Sequence, residues 1–510
     1  MNSVTQSSDN LAKQSVGAAL WGFAGSGLRI FIQFSAQIAL ARILGPEPYG
    51  LYAMGVMVIG FSLFFTDIGI TYQLIQKKEI TAHDQRFAMT WQVLVGITLS
   101  LVVAISAKAL AAFFNNQEVV PVIHGLAIIC FLQAGSLVST NLLRRRMDMK
   151  HIQLAQAGSY FVGYVLFGIP LALTGFGVWS LVISWIVQAS VNLLMLYNYA
   201  RHPLSPLLWY DGARAASGYG GLVFLTNATN WLIGNIDRII VGRYFATHAI
   251  GIYTTAYNFM SYGTSALHVV LQSVFFSTAA KVQGDNLRLG RACLVLVEAI
   301  SVFALPVFAW VAAVSGPLVL TLYGEAWRDA SEVLRPIALA MPMLLFLGVA
   351  TPVLWNSGKG RQEFLFQLPL VFLWAATAWV AAQWSVMAVA WTVLGLFVIR
   401  TGIFLFLISR AIDLRLSVWA RRFFPGAVLS LVITTSAVLI DRVLQEVLTK
   451  PSLLLLLNMV VEALIFATLT FAFRSALLSP ELSELTQRAM QHISSKIGRQ
   501  RSGVSQRVVR

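Results

Sequence analysis

Long apolar segments alternate with short polar ones over the whole chain. A membrane-spanning helix needs about 20 mostly apolar residues. Fourteen segments meet that length, at 17–41, 50–75, 87–112, 119–142, 152–174, 177–199, 217–241, 249–279, 292–314, 333–356, 364–383, 386–408, 424–440 and 453–473. None alternates as a barrel strand would, and an open chain in lipid satisfies its backbone only as a helix. The pattern predicts an all-α polytopic membrane protein with about 14 transmembrane helices.

The first two predicted helices resemble the seventh and eighth at an offset of 201 residues, so that Gly50-Leu51-Tyr52 corresponds to Gly251-Ile252-Tyr253. At 100° per residue, one polar face of the first helix holds Gly22, Ser26, Arg29, Gln33 and Gln37. The equivalent positions are Val223, Asn227, Asn230, Gly234 and Arg238. The repeat predicts two six-helix lobes, 17–199 and 217–408, related by a parallel pseudo-two-fold axis with a cavity between them.

The remaining segments flank these lobes. They are a cytoplasmic N-terminal segment (1–16), an inter-lobe linker (200–216), a cytoplasmic loop with two extra helices (409–473) and a basic tail (474–510). Ser479 and Pro480 are typical of a helix N-terminus, with serine as the cap and proline at the first position. Beyond them the tail fits either an amphipathic helix on the inner leaflet or a solvated extension.

Composition and charge support the membrane class. The chain is 57% hydrophobic and 11% charged with a mean hydropathy of +0.73, whereas soluble proteins are about one quarter charged. With the N-terminus in the cytoplasm, 26 basic residues fall on the cytoplasmic side and six outside. This bias predicts that both termini are cytoplasmic, and it accounts for the net charge of +15 without nucleic acid. Cys130 and Cys293 lie in apolar segments and are interpreted as small core residues.

Charges inside apolar helices are the candidate functional groups, because each costs roughly 3 kcal/mol or more near the bilayer centre. Arg29 is at mid-depth and is predicted to line the cavity, with pairing to Asp67 as the alternative. Asp67 is either an ion-coupling site or a counter-ion. Its repeat equivalent, His268, is either a proton-coupling group or a histidine hydrogen-bonded across helices. Arg400 either faces the cavity or extends to the cytoplasmic surface.

Amides complete the predicted cavity wall. Gln33, Asn227 and Asn230 lie on the two equivalent polar faces and are candidates for substrate binding. Asp237 and Arg238 are interpreted as a structural pair near an outer helix end. Glu298 and Glu462 lie near span ends or outside the repeated core and receive little functional weight.

The sequence lacks the patterns of common enzyme sites. It has no glycine-rich phosphate loop, no His/Cys set with metal-ligand spacing, and no large outer loop with paired catalytic residues. The prediction is a protein that is not an enzyme, with no cofactor and no metal.

Several stretches resemble the Wzx-type polysaccharide transporter family of the multidrug/oligosaccharidyl-lipid/polysaccharide exporter superfamily, most closely its colanic-acid-exporter-like (WzxC) subgroup. They are ARILGPEPYGLY at 41–52, TDIG at 66–69, LRRR at 143–146, GFGVWSLV at 175–182, NIDR with VGR at 235–243, and LYGEAW at 322–327. The resemblance covers most of residues 15–410.

The resemblance implies a bacterial inner-membrane flippase that moves undecaprenyl-pyrophosphate-linked oligosaccharides to the periplasmic leaflet, for exopolysaccharide, capsule or O-antigen synthesis. It also implies alternating access driven by an ion or proton gradient. The expected partners are this lipid-linked substrate, membrane lipids and other polysaccharide-assembly proteins, and the default state is a monomer. Arg29 and Arg400 are then hypothetical pyrophosphate contacts.

Three other functions are compatible with a polytopic chain. A cation-coupled multidrug antiporter of the same superfamily would favour acidic cavity residues, whereas the deep charges here are mixed. A polysaccharide polymerase or ligase would be expected to have a large outer loop with catalytic residues. A scaffold without transport would leave the intramembrane charges without a purpose.

Overall fold

The computed structural model describes residues 25–66, 71, 73–77, 79–210, 221–279, 286–356, 360–412, 414–448, 450–484 and 487. Every regular element in these ranges is helical. Eleven of the described helices are long and apolar enough to cross a membrane. The predicted all-α, multi-pass membrane architecture is therefore confirmed.

The helices of the first half are α1 (Gly25–Leu44), α2 (Pro46–Leu63), α3 (Gln73–Gln76), α4 (Ala82–Phe113), α5 (Val119–Arg145), α6 (Met149–Tyr160), the π-helix Phe161–Gly168, α7 (Ile169–Leu173), α8 (Val178–Tyr199), α9 (Gly221–Ile233), α10 (Ile236–Tyr244) and α11 (Thr247–Ala279). These helices up to residue 266 belong to one compact unit, together with 322–334 and 361–393. In this unit α5 is the central helix, and it packs against α2, α4 and α8.

The helices of the second half are α12 (Asn286–Ala299), the π-helix Ile300–Ala304, α13 (Leu305–Ala313), α14 (Ser315–Leu322), the short 3₁₀ helix Glu325–Trp327, α15 (Ala330–Asn356), α16 (Gly360–Ala382), α17 (Val386–Ala411), α18 (Leu416–Val447), α19 (Pro451–Ala472) and α20 (Arg474–Leu477). A second compact unit comprises 267–321, 335–360 and 394–510. In it α18 packs against α12, α13 and α19. The lobe boundaries at 17–199 and 217–408 stay a prediction.

The predicted count of fourteen spans is not confirmed, because three predicted segments form helices that fall short of the length or hydropathy of a span. The segment 50–75 is represented by α2, which begins with the polar stretch Pro46-Glu47-Pro48 and ends at Leu63. The segment 217–241 is interrupted at 234–235, between the 13 described residues of α9 and the 9 residues of α10, and 217–220 lie outside the described residues. The third, α11, carries a long stripe of Asn, Ser and His side chains.

The first part of the inter-lobe linker is bound along the beginning of α4. Arg86 donates hydrogen bonds to the carbonyl oxygens of Ser205 (3.1 Å) and Pro206 (3.2 Å). The backbone N–H of Leu207 donates a hydrogen bond to the Thr90 hydroxyl, and Trp91 Nε1 donates one to the carbonyl oxygen of Leu208. Residues 201–210 therefore form an ordered strap, and 211–216 lie outside the described residues.

A buried carboxylate fixes the end of this strap. Asp84 accepts hydrogen bonds from the Tyr210 hydroxyl (2.5 Å), from Lys77 Nζ (2.6 Å) and from the backbone N–H of Thr81 (2.8 Å). The last of these, with the bond from Asp84 N to the Thr81 hydroxyl, is a capping box that begins α4. Burial, followed by the bond to Asp84, raises the pKa of Tyr210, so its hydroxyl remains the donor.

Substitution Asp84→Asn is expected to release the strap. It removes the charge that assists the bonds from Lys77 and Tyr210, and hydrogen bonds to charged groups contribute about 1.5–3 kcal/mol each. Limited trypsin digestion should then cleave faster at Arg201, while Tyr210→Phe, which loses one bond only, should have a smaller effect. Equal cleavage of Asp84→Asn and the native protein would contradict this role.

A second buried carboxylate binds the C-terminal segment within the second unit. Glu298 is 2% exposed and accepts hydrogen bonds from Arg422 (2.6 Å) and from the backbone N–H of Ser479 (2.5 Å). The Ser479 hydroxyl accepts from the N–H of Leu482 at 3.3 Å, so serine caps the following helical turn as predicted. Glu298 therefore has a structural role. The predicted amphipathic stripe beyond residue 487 lies outside the described residues.

Candidate functional site

The polar face of α1 is partly buried against α6. Arg29 Nη1 donates a hydrogen bond of 2.5 Å to Oε1 of Gln156. One turn earlier, a Cβ added at Gly25 would lie 2.5 Å from the Cβ of Gln153, so the two helices are in close contact. Gln156 is neutral, and within the described ranges no carboxylate forms an ion pair with Arg29. Among the described residues, the partner of this positive charge is thus a neutral amide.

Farther along α1, Gln37 begins a patch of tyrosines. The Tyr49 hydroxyl donates to Gln37 Oε1 at 3.1 Å, and Gln37 Nε2 donates to the Tyr160 hydroxyl at 3.3 Å. The rings of Tyr160 and Tyr164 are stacked with centroids 4.3 Å apart, and the hydroxyls of Tyr164 and Tyr52 share a hydrogen bond of 2.9 Å. We call Tyr49, Tyr52, Tyr160 and Tyr164 the tyrosine patch.

The stacked pair of this patch lies at a change of helix type. Tyr160 ends α6 and Tyr164 lies in the following π-helix, whose wider turn places residues four apart almost one above the other. This segment packs closely against α8, because a Cβ added at Gly163 would lie 2.6 Å from the carbonyl oxygen of Ser184. Single π-helical turns are frequent at functional sites.

A row of aromatic rings continues from the tyrosine patch in the same unit. Ring centroids lie 5.2 Å apart for Phe34 and Phe259, and 6.1 Å apart for Phe259 and Tyr323. Trp327 follows at 5.7 Å from Tyr323 and at 5.7 Å from Tyr49. Tyr49, Tyr323 and Trp327 are buried, whereas Phe34 and Phe259 are half-buried and leave part of an apolar face for the C–H groups of a sugar.

A separate apolar cavity of about 580 Å³ lies among α2, α4, α9 and α10. Its wall includes Phe61, Phe65, Phe113, Phe114 and Trp231. Apart from the indole N–H of Trp231, the polar side chains among the described residues of that wall are those of two serines. This cavity suits a hydrocarbon chain and not a charged head group.

The helices α2 and α11 cross with direct backbone contact, in a way that reflects the repeat. A Cβ at Gly50 would lie 1.9 Å from the carbonyl oxygen of Thr247, and a Cβ at Gly251 would lie 2.0 Å from that of Pro46. Gly50 and Gly251 are equivalent at the 201-residue offset, and so are Pro46 and Thr247. The contact is therefore reciprocal, as a pseudo-two-fold axis through the crossing requires.

Three of the predicted site residues are described in the first unit, and two others there lie outside the described residues in whole or in part. Arg29 and Gln33 lie half-buried on α1, and Asn230 lies half-buried on α9. Asp67 and the side chain of Asn227 lie outside the described residues, so the proposed pairing of Arg29 with Asp67 stays a prediction.

Two predicted site residues belong to the second unit. Arg400 is 7% exposed, with its guanidinium 5.6 Å from the ring centre of Phe404. His268 packs against Gly348, where an added Cβ would lie 2.2 Å from the imidazole Cε1. Their roles in binding and in ion coupling stay predictions.

The interpretation of Asp237 and Arg238 as a structural pair stays a prediction, because the described contacts of the two side chains are with other residues. Asp237 is buried and accepts a hydrogen bond of 2.7 Å from the Tyr253 hydroxyl. The Arg238 guanidinium lies 4.2 Å from the ring centre of Tyr257 and donates to the carbonyl oxygen of Gly234. Both side chains thus join α10 to neighbouring backbone and to α11.

The sequence analysis did not identify the tyrosine patch or Gln156. Tyrosine counts as apolar in a hydropathy pattern, so four tyrosines within predicted spans left no polar signal. A usable signal was present in α6, where Gln153 and Gln156 lie close together in an otherwise predicted span.

Comparison with known proteins identifies relatives in polysaccharide assembly. The chain is 26% identical over 340 residues to the succinoglycan biosynthesis transport protein ExoT of Rhizobium meliloti, covering 66% of this chain and 68% of the relative. It is 22% identical over 334 residues to the lipopolysaccharide biosynthesis protein WzxC of Escherichia coli, covering 64% and 66%.

Solved structures share the fold. The lipid II flippase MurJ, in an inward closed conformation, matches with a TM-score of 0.70 at 12% identity, covering 91% of this chain and 100% of that one. An inward-facing multidrug resistance transporter of the MATE family matches with a TM-score of 0.60 at 14% identity, covering 78% and 98%. The pattern of the family described as "Polysaccharide biosynthesis protein" matches residues 39–332, more than half of the sequence. Together with its apolar helices, this match shows that the chain belongs to the polysaccharide biosynthesis protein family of membrane proteins.

Proposed function

We propose that this protein is a flippase that moves undecaprenyl-pyrophosphate-linked oligosaccharides from the cytoplasmic to the periplasmic leaflet by alternating access, coupled to an ion or proton gradient. The observation that carries the proposal is the half-buried Arg29, which is held by the neutral Gln156 beside the tyrosine patch and forms no ion pair with a described carboxylate. A guanidinium is suited to a pyrophosphate, because it donates several charge-assisted hydrogen bonds.

Other features of the first unit fit the other two parts of such a substrate. The half-buried amides of Gln33 and Gln37 provide donors and acceptors for sugar hydroxyls. The apolar cavity bordered by Phe61 and Trp231 is proposed to take part of the polyprenyl chain. In this proposal the protein binds and reorients the substrate without making or breaking a covalent bond, so it is not an enzyme and needs no cofactor.

The names of the relatives support a role in polysaccharide assembly, and the proposal extends it to this chain. The protein would reside in the bacterial inner membrane with both termini in the cytoplasm, and it would act as a monomer beside other assembly proteins. A cation-coupled multidrug antiporter is the alternative, and the fold shared with the MATE transporters is compatible with it.

Leaflet reversal in proteoliposomes tests the proposal. The purified protein is reconstituted with a fluorescent pyrophosphate-linked polyprenyl oligosaccharide, with and without a pH gradient, and accessible label is quenched from outside. Movement of the label that a gradient accelerates is the expected result. Extrusion of a cationic dye without movement of the lipid would instead identify the protein as a multidrug antiporter. If neither the lipid nor the dye moves, with several glycans tested, autonomous flipping by this protein is contradicted.

A further inference from the structure

A buried glutamate lies close to the middle of α19, one of the two helices beyond the repeated core. Glu462 is 4% exposed, whereas its neighbours Val460, Val461 and Leu464 are 47%, 37% and 63% exposed to the membrane. It shares the inward face of α19 with Leu454 and Asn458, which are spaced by four residues. The carboxyl is therefore inside the protein at mid-membrane depth.

The contacts on either side define what Glu462 faces. One turn earlier, Asn458 accepts a hydrogen bond of 2.9 Å from Trp310 Nε1 and donates one of 2.9 Å to the carbonyl oxygen of Ala437. One turn later, Phe466 packs against Phe303 with ring centroids 6.3 Å apart. Glu462 consequently lies against α18 and against the stretch between Phe303 and Trp310.

Among the described residues, the carboxyl of Glu462 receives no hydrogen bond in this environment. Both oxygens of Glu462 are buried and, within the described part of the chain, accept no hydrogen bond. Ser436 of α18 is close by, but its hydroxyl donates to the carbonyl oxygens of Val432 (2.9 Å) and Ile433 (3.1 Å). While its hydroxyl makes these bonds, Ser436 presents lone pairs to Glu462, and Pro306 on the facing helix has no N–H.

No counter-charge lies at this level on the helices packed around Glu462. Between Arg422 and Asp441, α18 has no charged residue, and the facing segment has none from 299 to 313. Arg422 is paired with Glu298 at 2.6 Å and lies roughly 20 Å along the helix from Ser436. Asp441 and the exposed Arg442 are at the far end of α18, and α19 has no other charged residue.

An ionised carboxylate in such a place would carry the full cost of burial without a donor or a cation. A neutral carboxyl is instead complementary, because its O–H can donate to the Ser436 oxygen. We propose that Glu462 is a proton-binding site, occupied in this conformation, whose proton is released to water during the transport cycle. The coupling part of this inference rests on the proposed flippase function, whereas the protonation of Glu462 does not.

Carbodiimide labelling tests the protonated state in the full-length protein without substrate. Dicyclohexylcarbodiimide enters membranes and adds to protonated carboxyls, so the probe reports the proton directly. Peptide mass spectrometry should find Glu462 modified, more at about pH 6 than at about pH 8. Glu298, which is equally buried but paired with Arg422, should remain unmodified. An unmodified Glu462 at both pH values would overturn the proposal.

A transport measurement tests the coupling. The variant Glu462→Gln keeps the shape of the side chain but cannot exchange a proton, so it should flip lipid at the same rate with and without a pH gradient. Glu446→Gln, an exposed glutamate at the end of α18, is the matched control and should keep the gradient response. A normal response in Glu462→Gln would overturn the coupling role. A native protein that flips nothing would contradict the flippase, while the labelling result would still decide the proton site.

Discussion

Substitution Arg29→Ala is expected to reduce flipping of the pyrophosphate-linked substrate roughly 10- to 100-fold, because hydrogen bonds to a charged group contribute about 1.5–3 kcal/mol and each 1.4 kcal/mol is a factor of ten. The loss should affect anionic cargo specifically, since the substitution removes the positive charge and leaves the tyrosine patch in place. The measurement is the initial rate of leaflet reversal in proteoliposomes with matched amounts of folded protein.

Two control variants separate the specific role of Arg29 from a general effect of charge. Lys108→Ala removes a basic residue from α4, where the side chain is exposed, and should leave flipping unchanged. Arg29→Lys keeps the charge but loses the planar guanidinium, and we expect an intermediate rate. If Arg29→Ala flips as fast as the native protein, Arg29 has no part in the mechanism.

The partner of Arg29 gives the same hypothesis a geometric check. Gln156→Leu removes the acceptor that holds the guanidinium at 2.5 Å but leaves the charge. If Gln156 positions Arg29 for binding, the Gln156→Leu variant should have a weaker apparent affinity for the lipid-linked substrate, while its maximal flipping rate stays near the native value. A purely structural contact would instead reduce the amount of folded protein, which size-exclusion chromatography measures.

The sequence predicted the class of fold because lipid permits so few alternatives. Length and hydropathy predicted fourteen spans, and eleven of them correspond to described helices that are long and apolar enough to cross a membrane. The reciprocal contact of Gly50 with Thr247 and of Gly251 with Pro46 joins positions that are equivalent at the predicted offset of 201 residues. Serine and proline at 479–480 were sufficient to place a helix start. These features are local or periodic, and a single sequence expresses them directly.

The composition of the site was harder to predict, for physical reasons. The tyrosines are apolar by hydropathy, and the π-helix Phe161–Gly168 departs from the 100° spacing used to assign helix faces. Glu462 received little weight because it lies outside the repeat, and only the packing of α18, α13 and α19 shows that it has no donor. Which polar groups meet across helices depends on tertiary packing that the pattern does not encode.

The reciprocal crossing of α2 and α11 leads to the second large expected effect. Substitution Gly50→Ala would place a Cβ 1.9 Å from the Thr247 carbonyl oxygen, and Gly251→Ala would place one 2.0 Å from that of Pro46. Backbone atoms cannot rotate away as a flexible side chain can, so α2 and α11 must separate and their close crossing is lost. The charge distribution predicts that the crossing is near the periplasmic face, where alternating access requires a seal that closes and opens. Alternating access needs both the closed and the open state of this crossing, and each variant loses the closed state. Each variant should therefore flip the lipid at least about tenfold more slowly than the native protein.

Matched alanines on the same helices control for the loss of glycine itself. An added Cβ at Gly60 of α2 would make an ordinary contact of 3.6 Å with Trp231, and one at Gly263 of α11 would meet nothing within 4 Å. Gly60→Ala and Gly263→Ala should therefore flip at the native rate. Equal rates for Gly50→Ala and Gly60→Ala would show that the crossing does not need to close during transport.

Accessibility distinguishes an opened crossing from a misfolded protein. Cys130 and Cys293 are both buried and should react little, so a single cysteine introduced at Ala53, one turn after Gly50 and 4% exposed, reports the crossing. Combined with Gly50→Ala, Ala53→Cys should react faster with a membrane-impermeant maleimide added outside, while Ala53→Cys alone remains protected. Faster labelling with an unchanged elution volume means that the two helices have separated in a folded protein, because misfolding would alter both. Protection in both backgrounds would mean that the helices accommodate the extra methyl group locally, and the loss of transport would then need a different cause.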